Sequence, residues 1–136
     1  MREVSVSRVV GVSPAELSSW LGPARIVEAE GSFAVESVYD GDDATVVVAS
    51  GPGLQLPLRF EDREGTIYYT QESEGGPFAE METWLESEPV DDERTRVTVR
   101  SAVELAAPLP FGDRIAGWKR RGELRNLLEA IDAEFD

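Results

Sequence analysis

The side chains able to do chemistry in this chain are carboxylates, tyrosines and arginines, and they fall in a few groups. Glu80, Glu82, Glu86 and Glu88 recur at even spacing, and such a row on one strand face could hold a divalent cation or supply a general base. Ala79, Met81, Thr83 and Leu85 fill the alternate positions, so a solvated outer face of an amphipathic strand is the competing reading. Asp40-Gly41-Asp42-Asp43 has the acidic density of a calcium loop but lacks the loop length and terminal glutamate of an EF-hand, so it reads as a hairpin turn. Tyr68 and Tyr69 offer a phenol to a reacting carbonyl, and only one of two successive strand residues can point inward. Lys119, Arg120, Arg121 and Arg125 form the dense basic cluster, suited to a carboxylate or phosphate. Glu123 and Glu129 stand one helical turn beyond Lys119 and Arg125, which fits ion pairs on a solvated helix face equally well. Arg8 is in phase with Val4, Val6 and Val10; it needs a carboxylate partner if it faces inward and otherwise reaches to solvent.

Composition narrows the chemistry further. The chain has 136 residues, enough for one core, and its 41% hydrophobic and 29% charged content is that of a globular domain. With no histidine and no cysteine there are no disulfides, no thiolate or Ser-His nucleophiles and none of the usual zinc sites. There is no Gly-x-Ser-x-Gly elbow and no Walker or dinucleotide fingerprint. Acidic residues number 27 against 13 basic ones, a net charge of -14 that repels phosphate backbones, so no nucleic-acid partner is expected. Lys119 is the only lysine, and this arginine bias beside the acidic excess resembles proteins of salt-in halophilic archaea. The N-terminus has no apolar run of signal-peptide length and no stretch is long enough to span a bilayer, so a cytoplasmic protein, not membrane-embedded, is expected.

The elements that must position these groups are marked by periodicity and turns. Val4, Val6 and Val10 alternate with polar residues as in a half-buried first strand. Ser13-Pro14-Ala15-Glu16 is a capping box that starts a short helix through Leu17, Trp20 and Leu21, which Gly22-Pro23 is expected to end. Five turn signals then divide the chain into six antiparallel strands near 32–40, 44–50, 54–62, 65–73, 78–88 and 94–105: Asp40–Asp43, Gly51–Gly53, Asp62–Gly65, Glu74–Pro77 and Pro89–Glu93. Pro108-Leu109-Pro110 closes this region, and a long helix follows from Asp113 to about Glu134. Leu124, Leu127, Leu128, Ile131 and Phe135 share its inner stripe. Ile115, Trp118 and Gly122 lie nearly opposite, so the apolar face is expected to switch along the helix. The inner stripe continues through Arg121, Arg120, Gly117 and Ala116, small or charged residues that leave possible space above the sheet.

Val4 to Val10 followed by Ser13-Pro14-Ala15-Glu16-Leu17 and Trp20-Leu21-Gly22 resembles the first strand and helix start of the START-like superfamily, also called SRPBCC or Bet v 1-like. Gly76-Pro77-Phe78 and Thr95-Arg96-Val97-Thr98 are similar to the openings of its last two strands. The resemblance covers essentially the whole chain and implies an α+β helix-grip fold: a curved antiparallel sheet of about seven strands wrapped on a long C-terminal helix, with a short helix after strand 1. Only a short segment separates that helix from the second strand, so the superfamily's second helix is expected to be shortened or absent. The resemblance also implies a cavity between sheet and helix for lipids, sterols, polyketides or other apolar small molecules. Candidate lining residues are Leu56, Leu58, Phe60, Tyr69, Met81, Thr83, Val99 and Ser101 from the sheet, with Trp118 and Arg121 from the helix. Close packing of these side chains into a filled core is the plainer alternative.

Three functions follow as expectations: a binding protein for an apolar or amphipathic, lipid-like molecule; a cyclase or dehydratase using a tyrosine or carboxylate; or a protein-interaction module with a vestigial cavity. No cofactor and no metal are expected. Gly117 is expected to leave room for ligand, and Arg121 to hold an acidic headgroup.

Overall fold

In the computed structural model the described residues are 1–72, 76–107 and 109–135. Ser73, the end of the expected strand 65–73, Glu74 and Gly75 of the fourth expected turn, and Pro108 of the closing segment lie outside them. Seven strands form one antiparallel sheet: β1 (Arg2–Val10), β2 (Ala34–Asp40), β3 (Thr45–Gly51), β4 (Leu54–Arg63), β5 (Thr66–Gln71), β6 (Phe78–Pro89) and β7 (Thr95–Leu105). Their order is β1-β7-β6-β5-β4-β3-β2, a meander whose first strand returns to pair with the last, Arg2 opposite Val103 and Val10 opposite Thr95. Three helices complete the chain: α1 (Pro14–Trp20), α2 (Pro23–Glu30) and α3 (Gly112–Glu134). This is the expected helix-grip architecture.

Alternation builds the core. Leu56, Leu58 and Phe60 on β4, Met81, Thr83 and Leu85 on β6, and Val97, Val99, Ser101 and Val103 on β7 are all buried on one face of the sheet. Leu124, Leu127, Leu128 and Ile131 of α3 close over it. On the other face Glu80, Glu86 and Glu88 are exposed, and Glu88 sits opposite Arg96. Arg8, opposite Val97, is on the helix side of the sheet but exposed, with its guanidinium 3.3 Å from Asp132 of α3. Ser13 caps α1 as expected, its hydroxyl accepting from the Glu16 N–H at 3.3 Å.

A second helix is present, so of the two expected alternatives, shortened or absent, the second is excluded. Gly22-Pro23 ends α1 but also opens α2, with Gly22 as N-cap and Pro23 in the first turn, where a missing N–H costs nothing. Gly31, at φ +84°, stops α2 in the left-handed conformation that glycine adopts without a Cβ penalty. Eight residues suffice to bury Ile26, Val27 and Glu30.

Candidate functional site

A cavity of about 400 Å³ opens between the sheet and the facing ends of α2 and α3. Leu54, Leu56 and Leu58 of β4, Phe78 and Met81 of β6, Leu105 of β7 and Phe33 after α2 give it apolar walls. Exposed Pro52, Ile115 and Lys119 ring its mouth, and Glu30, Arg120 and Glu123 supply its polar floor. A groove of about 440 Å³ on the outer sheet face, by Tyr68, Glu80 and Glu82, is lined by carboxylates and lacks such walls.

Arg120 organises the floor. It is 4% exposed, and each of its five N–H groups has an acceptor. Nε donates to Ser101 Oγ at 3.1 Å; Nη1 donates to Glu30 Oε1 at 2.7 Å and Glu123 Oε1 at 3.0 Å; Nη2 donates to Thr83 Oγ1 at 2.8 Å and the Tyr69 hydroxyl at 3.0 Å. The Tyr69 hydroxyl in turn donates to Glu30 Oε2. Ser101 donates to the Glu82 carbonyl at 3.0 Å, which leaves Thr83 to donate to Ser101 across 2.8 Å. Every proton is placed, and among the described residues no buried side-chain polar atom is left without a partner.

Electrostatics fix the charge states. Burial opposes the charge on Arg120, but the Glu30 carboxylate, with Tyr69 and Glu123, outweighs it and holds the guanidinium protonated well above its ordinary range. Burial, reinforced by Glu30, pushes the Tyr69 phenol well above its usual value, so it is a neutral donor and no base near neutral pH. Glu30 is fixed from both sides, since Asn126 of α3 also donates to its backbone carbonyl at 3.1 Å. Tyr69 stacks on Phe60 with centroids 4.4 Å apart.

Of the residues expected to line a cavity, Leu56, Leu58 and Met81 stand on its wall. Tyr69, Thr83 and Ser101 lie behind the floor as partners of Arg120, while Phe60 and Val99 are packed in the core. The two helix candidates face elsewhere: Trp118 is 80% exposed and Arg121 is exposed. The inward arginine is Arg120, because the inner face of α3 runs through Gly117, Arg120 and Leu124 and does not switch sides. Gly117 also leaves no room for a ligand; a Cβ there would lie 2.4 Å from Cγ of Arg2 on β1. Glu30 was hidden with α2, although Gly22-Pro23 and Gly31 bracket Ile26, Val27 and Glu30 at helical spacing. Among the described residues no group of three or more carboxylates could hold a metal ion, and no helix is long and apolar enough to cross a membrane.

No protein-family model and no curated protein matches the chain in sequence. Solved structures do match in shape. A START superfamily protein from Mycobacterium smegmatis superposes with a TM-score of 0.72 at 15% identity, over 98% of this chain and 96% of that one. The chain has the START-type fold. The ZhuI aromatase/cyclase from a Streptomyces species matches this START-type architecture with a TM-score of 0.65 at 21% identity, over 96% of this chain and 83% of its own. The di-domain aromatase/cyclase BexL, from the BE-7585A biosynthetic pathway, matches at 0.72 and 22% identity; 98% of this chain covers 46% of that two-domain one. A START-type fold carries more than one chemistry, so function rests on the cavity.

Proposed function

We propose that this chain is a cytoplasmic small-molecule binding protein that encloses an apolar, uncharged ligand between β4, β6 and α3, in a salt-rich cell. The observation that carries this reading is the saturated guanidinium. A ligand carboxylate could bind Arg120 only by displacing Glu123 or Glu30, and the floor as built, with one cation against two carboxylates, already has a negative excess. The apolar walls favour hydrocarbon, and a hydroxyl or carbonyl end can meet the exposed edge of the floor. Similarity to START-type and aromatase/cyclase structures is consistent with an apolar ligand. The salt-rich setting draws on the net charge of -14 and the arginine bias.

The cyclase or dehydratase alternative has one observation in its favour, the Glu30 carboxylate in the cavity wall. Both its oxygens are taken by Arg120 and Tyr69, however, so it serves better as an anchor than as a base. Native mass spectrometry with paired probes tests the binding reading. Equal-length fatty alcohol and fatty acid are offered together; a retained alcohol adduct, lost on denaturation, is the expected outcome. Preferential retention of the acid, or no adduct with either, would overturn it.

A further inference from the structure

Beyond the cavity lies the outer face of α3, where Ile115 and Trp118 point away from the buried stripe of Gly117, Arg120 and Leu124, with Phe111 at the N-cap that opens the helix. Phe111, Ile115 and Trp118 are 72%, 61% and 80% exposed, and Leu109 beside them is 62% exposed. Phe111 is held outward by a left-handed backbone, φ +57°, which a bulky residue rarely adopts. The charge of this face is opposite to that of the chain. Arg114, Lys119, Arg121 and Arg125 flank the stripe, and among the described residues none of them has an ion-pair partner. The acids of the same stretch are occupied elsewhere, Asp113 with the Met1 amino group and the Leu105 N–H, Glu123 with Arg120.

We propose that this face docks the protein on an anionic lipid surface, with Phe111, Trp118 and Leu109 entering the acyl boundary and the basic side chains among the headgroups. A bilayer interface offers apolar and anionic partners in one plane, which suits a stripe of aromatic and aliphatic residues rimmed by arginine and lysine. Nucleic acid would leave the stripe against phosphates, and a two-fold pairing of copies would bring basic rims together. Ile115 and Lys119 belong both to this face and to the cavity mouth, so docking turns the mouth toward the membrane. The Debye length is about 8 Å at moderate salt and about 3 Å at molar salt, which in both cases screens the distant carboxylates, while contact with headgroups and the apolar stripe acts at shorter range.

The test is co-sedimentation of the full chain, without ligand, with phosphatidylglycerol-containing vesicles and with pure phosphatidylcholine vesicles. The chain is expected to pellet with the anionic vesicles. Phe111→Ser with Trp118→Ser should abolish pelleting, and Arg114→Glu with Arg121→Glu should weaken it roughly ten-fold or more. All four positions are exposed, so unchanged unfolding midpoints keep the comparison clean. Uptake of the fatty alcohol from solution should persist in these variants, which separates failure of the face from failure of the cavity. No pelleting of the parent chain, or pelleting undiminished in the variants, would overturn the proposal. So would a concentration-dependent dimer that Trp118→Ser dissolves, which would give the face to a second copy.

Discussion

Oε1 of Glu30 lies 2.7 Å from Nη1 of Arg120, joining the last residue of α2 to the middle of α3. Both residues are buried, at 6% and 4% exposure. The pair sits where an apolar floor would otherwise continue, and its worth lies in mutual dependence: Glu30 is tolerable inside because Arg120 is there, and Arg120 because Glu30 and Glu123 are.

Removing both partners should therefore cost less than the two single removals added together. Glu30→Ala leaves the buried guanidinium with Glu123 as its remaining carboxylate and is expected to destabilise the fold by about 2–4 kcal/mol. In urea denaturation, the double variant with Arg120→Ala should lose clearly less than the sum of the single losses. Strict additivity would show that the two groups are not coupled.

Gly117 is a contact of close approach between α3 and β1. Alanine has the better helix propensity by about 1 kcal/mol, yet Gly117→Ala places a Cβ 2.4 Å from Cγ of Arg2. Net destabilisation of roughly 1–3 kcal/mol is expected, and Gly117→Leu should be worse. Thermal unfolding checks this, and a stabilised Gly117→Ala would contradict the approach.

Filling the cavity from its open side should block it without touching the floor. Leu54 is half-buried on the wall, so Leu54→Trp is expected to lower fatty alcohol uptake roughly ten-fold by occupying ligand space while keeping the fold. Titration by native mass spectrometry reads the effect.

Two tyrosines should report alkaline unfolding. Burial, then the 2.6 Å hydrogen bond to Glu82, pushes Tyr68 up to about 12, and Tyr69 is raised as well. A raised value favours the protonated phenol in the folded state, so this stability is fully present below pH about 10, the unfolded value, and is lost as the pH climbs through the folded ones. Absorbance of ionised tyrosine should show a step near pH 12 that Tyr68→Phe removes.

Salt should stabilise the fold. Glu80 stands opposite Glu104 across β6 and β7, a like-charged pair within a chain of net charge -14. Raising sodium chloride toward molar levels shortens the Debye length to about 3 Å, and the melting temperature should rise with it. A falling melting temperature would speak against a salt-rich setting.

Much of the fold was legible because strand alternation, turn residues and the Ser13 cap are local signals. All six strand intervals after α1 fall within a few residues of β2 to β7. The site was less legible, because its members are brought together by long-range packing. Arg120 and Arg121 are neighbours in a run of like charge, and only the rotation of α3 against β7 decides which enters. Trp118 belongs inside only if the apolar face of α3 switches sides along the helix, and it does not. Glu30 could be placed only once Gly22-Pro23 is read as the start of a helix and not merely the end of one.

The pairing of β1 with β7 also bears on how the chain reaches this state. Arg2 must find Val103, and β2 to β6 all lie between them in sequence. Until then β1 has no neighbour in the sheet, since β2 lies at the far edge. Contacts of such high sequence separation slow folding. Closure of the sheet by β1 is thus expected to be a late step of folding, and the β2–β6 meander, whose neighbours are consecutive in sequence, is the part able to assemble before it.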